Sequence, residues 1–205
     1  FTIWRGLGLV FFLLVKPRQE HKETARDMHY KSILLDRYFV LYFIPWAMFC
    51  LVNFLENPIV FNYVGKDLEF LIPLAEYGIG GFSALIGGWF ADSVGRKRIV
   101  IFGFIMLGIG YAVLGLFLET EFSWFIKYLY IVLDGIAWGI FSLMFYLVVW
   151  ADLARNRFKE KYYLIGVLPF LIGNYIQILF AHYAQAISIS VAFSLASFFL
   201  FLAVL

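Results

Sequence analysis

Residues 88–98 read Gly88-Trp89-Phe90-Ala91-Asp92-Ser93-Val94-Gly95-Arg96-Lys97-Arg98 and lie between two long apolar stretches. Such a segment reverses the chain at a membrane face. The two glycines permit close helix approach and a tight turn. Asp92 is placed to cap and neutralise a neighbouring helix start. Arg96, Lys97 and Arg98 mark the face as cytoplasmic, because Lys and Arg accumulate on that side of a bilayer.

Outward from this segment the chain divides into apolar spans at 38–55, 68–91, 99–118, 124–151, 162–181 and 186–205. About 20 helical residues cross a hydrocarbon core of about 30 Å, and unbroken runs favour helices over the shorter, alternating strands of a barrel. Residues 6–15 are too short to cross and look like the tail of a truncated helix. The chain starts at Phe1 in one apolar run and stops at Leu205 in another, the pattern expected of a fragment. The expectation is an all-α integral membrane protein: a helix tail at 1–15, a cytoplasmic loop at 16–37 and a six-helix unit at 38–205. Composition agrees. Hydrophobic residues make up 63% and charged residues 15%, against roughly 45–50% and about 25% in soluble domains. The net charge of +2 gives no footprint for nucleic acid, and the single Cys50 excludes an intramolecular disulfide framework.

Cation placement orients the spans. Thirteen of the 16 Lys and Arg lie in three alternate loops, 16–37, 92–98 and 152–161, whereas the intervening loops hold only Lys66 and Lys127. The three rich loops are therefore expected on the cytoplasmic side of a cell membrane.

The segment Gly88, Ala91, Asp92, Gly95, Arg96, Lys97 resembles the signature loop of the major facilitator superfamily of secondary transporters, with Trp89 and Phe90 where small or aliphatic residues are common. Residues 150–166, with Asp152, several cations and Gly166, are similar to the loop after the fourth helix of a half in that family. The resemblance implies two six-helix halves joined by a long cytoplasmic loop, each half carrying a signature loop after its second helix. On that pattern the chain is the carboxy-terminal half preceded by the central loop, its partner being the missing amino-terminal half. An amino-terminal half with an extra leading helix is the alternative. The resemblance implies alternating-access transport of a small solute, as symporter or antiporter, with protons as candidate coupling ion. Gly88, Asp92, Gly95, Arg96 and Lys97 would then gate the conformational change.

Polar residues within apolar spans ask for a reason, since a charge at the bilayer centre costs roughly 2.5–3.5 kcal/mol on insertion scales. The candidates are Asn53, Glu76, Asp134, Asn174 and Gln177, with Trp138 one turn from Asp134. Spans 99–118 and 186–205 hold no charge or amide. By resemblance, the four polar spans border a central cavity and the two apolar ones face lipid. Glu76, Gly80, Ser83 and Gly87 share one helical face, which suits close packing or access of water. For Glu76, structural pairing with another helix stands beside a functional role. Pro45, Pro73 and Pro169 are expected to interrupt three of the polar spans. Asp134, deep in its span, is the first candidate for proton coupling and Glu76 the second.

Enzyme readings find little support. Gly81-Phe82-Ser83 with His182 imitates an intramembrane serine protease, but no Gly follows Ser83. Asp134-Gly135 resembles the start of a CDP-alcohol phosphotransferase motif, yet Trp138 stands where its Arg is needed. No nucleotide motif or metal-ligand spacing appears, so neither catalytic residues nor a cofactor nor a metal is expected. The non-enzymatic alternative to a transporter is a membrane sensor or scaffold with the same fold.

Overall fold

The computed structural model describes residues 30–65, 68, 70–154, 158–184 and 186–205, the side chains of Glu76 and Ala184 excepted. The expected helix tail at 1–15 and loop residues 16–29 lie outside them. Among the described residues the chain is helical without strands. A short helix α1 (Tyr30–Leu34) precedes α2 (Arg37–Gly65), α3 (Leu71–Val94), α4 (Arg96–Phe117), α5 (Ser123–Leu153), α6 (Lys159–Ala184) and α7 (Ile189–Leu202). Helices α2 to α6 are long and apolar enough to cross a membrane. Their outer surface is apolar too, with Tyr77, Phe82, Leu85, Leu147 and Ile178 more than half exposed. A bilayer is the solvent that suits such a surface, and helices satisfy their backbone groups within it.

The helix borders follow local chemistry. Asp36 caps α2 by accepting a 2.9 Å hydrogen bond from Tyr38 N. Helices α3 and α4 meet at Gly95, with φ 100° and ψ 143°, a conformation open essentially to glycine alone. This leaves the Gly88–Arg98 segment largely helical. Gly88 and Asp92 lie in α3, and Arg96, Lys97 and Arg98 form the first turn of α4. The expectation that Asp92 caps the following helix is not met, because the N-cap of α4 is Gly95 and no side chain bonds there.

Two more expectations need correction. Pro45, Pro58 and Pro169 lie inside helices, but Pro73 sits in the first turn of α3. Its missing N–H costs nothing there, because first-turn donors have no intrahelical acceptor. The last apolar span forms a helix of 14 residues, roughly 21 Å long and short of a full crossing. Extended Ser188, at ψ 142°, starts that helix late.

Helix α5 lies at the centre, against α3 on one side and α4 on the other. Helix α7 packs on α4 and α2, and α6 packs on α2. Glycines set these approaches, as expected where lipid removes the hydrophobic drive between helices. Gly80 of α3 faces the backbone of Gly135 and Gly139 in α5, and Gly87 faces Ile140. The small face of α3 is thus a helix-packing face. Ser197 Oγ donates to Gly108 O at 2.8 Å across α7 and α4. Trp46 Nε1 donates to Gly166 O at 2.9 Å across α2 and α6.

A cluster of fully buried rings fastens α2 to α5: Phe39, Trp46, Phe49, Phe141, Phe145 and Trp150. Trp46 stacks on Phe145 at 4.5 Å between ring centres, and Phe49 meets Phe141 at 4.6 Å. Within the cluster α5 widens into a π-helical turn at Met144–Val148. Such turns disturb the regular backbone ladder. Tyr163 of α6 donates its hydroxyl to Leu147 O there, at 2.6 Å.

Candidate functional site

Two sites form at different depths of the bundle. The deeper one is a cavity of about 190 Å³ enclosed by α2, α3, α4, α5 and α6. Its polar lining is Asn53 and Asn57 from α2, Tyr111 from α4, and Tyr130, Asp134 and Trp138 from α5. Phe54, Ile72, Ile131 and Phe170 supply apolar wall. Among the described residues, Asp134 is the only charged side chain in the lining, and it is 5% exposed. It lies eleven positions beyond Ser123, where α5 begins, or roughly 16 Å along the helix, near the middle of a hydrocarbon core. Gly135 and Gly139, next in sequence and five positions on in α5, bring the backbone of α3 close. Trp138 is held edge-on against Phe49, 5.2 Å between ring centres, while it also lines the cavity.

Of the sequence candidates, Asn53, Asp134 and Trp138 therefore converge. Asn174 is exposed on α6 and Gln177 is half-buried there, and neither lines this cavity. Glu76 belongs to α3, but its side chain lies outside the described residues. Sequence reasoning missed Asn57, Tyr111 and Tyr130. Asn57 carried a signal, being one helical turn from Asn53. Tyr111 carried none: it comes from a span without charge or amide and reaches the cavity through its ring, 5.5 Å from that of Tyr130. One of the two spans expected to stay outside the cavity thus contributes to it.

The second site lies at the end of the bundle where the cation-rich segments meet. Arg96, at the start of α4, forms an ion pair with Asp152 near the end of α5. Tyr162 of α6 donates to Asp36 Oδ2 at 3.4 Å, which brings the α1–α2 junction to the same end. The described parts of the three segments expected on one side of a membrane are therefore together in space. Three cations in a helix's first turn oppose its dipole, and Asp152 supplies the compensating charge for Arg96. Tyr38, Tyr42, Arg96, Val149, Asp152 and Leu153 line a crevice of about 220 Å³ here. Asp92, Gly95, Lys97 and Arg98 are exposed beside it. Gly88 is half-buried against Leu143 of α5. Among the described residues no group of three or more His, Cys, Asp or Glu is placed to hold a metal ion.

Comparison of the chain with protein-family models, with curated proteins and with solved structures finds no match.

Proposed function

We propose that the chain is a six-helix unit, the carboxy-terminal half, of a major facilitator-type secondary transporter in a cell membrane, with the segments at 16–37, 92–98 and 152–161 cytoplasmic. It moves a small solute by alternating access, with a proton carried on Asp134. The observation that carries this reading is the buried Asp134 in a polar cavity with Asn53 and Trp138. A carboxyl group in such a place exchanges between wet and dry surroundings as a helix bundle rocks. Wet and dry surroundings differ in how well they hold a charge, and such a difference is what coupling requires. Asn53, Asn57 and the two tyrosines offer donors and acceptors to a polar solute, and Trp138 offers a stacking face.

The ion pair between Arg96 and Asp152 supports the same reading. It ties the α3–α4 turn to the end of α5 at the proposed cytoplasmic face, while the cavity lies deeper. A contact of that kind favours one packing of the helices, and its release favours another. Pro45, Pro58 and Pro169 within α2 and α6 supply points where those helices bend.

The test is proton flux. The full-length protein is reconstituted in vesicles with a trapped pH dye, and a panel of small polar solutes is applied. Solute-dependent proton movement is expected. Asp134→Asn abolishes uphill accumulation driven by a pH gradient and leaves solute-for-solute exchange intact. Absence of any solute-dependent flux in the wild-type protein overturns the transporter reading in favour of a sensor or scaffold. Surviving accumulation in Asp134→Asn overturns the role of that carboxylate.

A further inference from the structure

A larger pocket, of about 480 Å³, lies on the other side of α2 and shares no lining residue with the cavity around Asp134. Its volume falls within the roughly 300–1,000 Å³ usual for ligand sites. Leu51, Val52 and Leu55 of α2, Phe180 of α6, and Leu195 and Phe199 of α7 make its wall almost wholly apolar. Leu51, Phe180, Leu195 and Phe199 are each more than two-fifths exposed, so the pocket opens sideways, toward the surrounding bilayer.

Among the described lining residues, Tyr183 brings a phenolic hydroxyl and Glu56 the one charged group. Glu56 lines the pocket, and its Oε2 is sealed from solvent without a hydrogen-bond partner. No Lys, Arg or His is among the described lining residues. A carboxylate in apolar surroundings is costly unless a donor or a cation meets it, and the pocket is where one can enter. Glu56 lies 19 positions beyond Arg37 in α2, roughly 28 Å along the helix. This places the carboxyl near the far face of a hydrocarbon core about 30 Å thick, at the depth where an amphiphile keeps its head.

We propose that this pocket binds a single-chain amphiphilic amine, the ammonium donating to the Glu56 carboxylate and the alkyl chain lying between α2, α6 and α7. The site is independent of the transport cavity and of the reading placed on it. An amine-bearing lipid headgroup and a free hydrophobic amine share this chemistry.

The experiment is equilibrium binding of tritiated dodecylamine to the full-length protein in phosphatidylcholine nanodiscs, with empty nanodiscs as background. One saturable site is expected, and dodecanol fails to compete for it. Glu56→Gln weakens binding at least tenfold without lowering the unfolding temperature. Leu195→Trp, an exposed position at the pocket mouth, blocks binding by filling the pocket and guards against a misfolded Glu56 variant. Lysophosphatidylethanolamine, a single-chain lipid with an amine headgroup, added to the nanodiscs raises the apparent Kd of the wild-type protein if the lipid headgroup is the occupant, and leaves it unchanged if a free amine is. Equal binding by wild type and Glu56→Gln, equal competition by dodecanol, or no saturable binding overturns the proposal.

Discussion

Replacing Gly139 by alanine tests the packing of α5, the helix that carries Asp134, against α3. A methyl group there points at the backbone of Gly80, 2.8 Å from its carbonyl carbon and 2.9 Å from its Cα. Ordinary contact begins at 3.4 Å. Since 3.4 Å less 2.8 Å is 0.6 Å, α3 and α5 must part by at least about that much. Backbone, unlike the end of a flexible side chain, cannot swing aside. Overpacking of this kind costs about 1–3 kcal/mol, whereas alanine in place of glycine within a helix returns up to about 1 kcal/mol. The clash therefore prevails, and Gly139→Ala lowers the unfolding temperature of the purified protein in detergent. Gly81→Ala is the control on the partner helix. Nothing lies within 4 Å of a methyl added at Gly81, so only the helix gain operates and the unfolding temperature holds or rises. Equal unfolding temperatures for the two variants would refute the close approach of α3 and α5.

Other substitutions probe the end of the bundle where the cation-rich segments meet. Gly95→Ala forces a side chain into φ 100° and is expected to destabilise by about 1–3 kcal/mol, read as a lower unfolding temperature; an unchanged value would mean that the α3–α4 turn has another geometry. A double-mutant cycle of Arg96→Ala and Asp152→Ala is expected to show a coupling of about 0.2–1 kcal/mol that shrinks at high salt, because both side chains are about 40% exposed and exposed pairs are weak and screened. Zero coupling at low salt would remove the link between the two segments. Ser93→Cys, exposed at the end of α3, should react with a membrane-impermeant thiol reagent only from the cytoplasmic side; reaction from outside intact cells would reverse the orientation.

Much of the helical framework was legible in the sequence. The six expected spans correspond to α2 to α7 with borders displaced by one to three residues, except that α2 runs ten residues past position 55 to Gly65, because a segment in lipid must satisfy its backbone hydrogen bonds within itself. That requirement is local and leaves its mark on composition. The glycine at the α3–α4 turn was legible for the same reason, since Gly95 adopts a conformation that local sterics deny to other residues. The shortness of α7 was not legible, because its apolar run continues beyond the helix and hydropathy does not register where the backbone turns.

Which polar residues meet was decided by tertiary structure. Asn53, Asp134 and Trp138 share a cavity, while Asn174 and Gln177, equally polar and regularly spaced, do not line it. Tyr111 enters it from a span that carries no charge or amide. Arg96 finds Asp152 across a separation of 56 positions, and Gly139 finds Gly80 across 59. The sequence by itself determined that the chain forms apolar helices, that Gly95 turns α3 into α4, and which helix ends carry the cations. Only the fold decided which face of each helix meets which neighbour, because the rotation of a helix about its axis is set by the shapes packed against it, and those shapes come from residues far away along the chain.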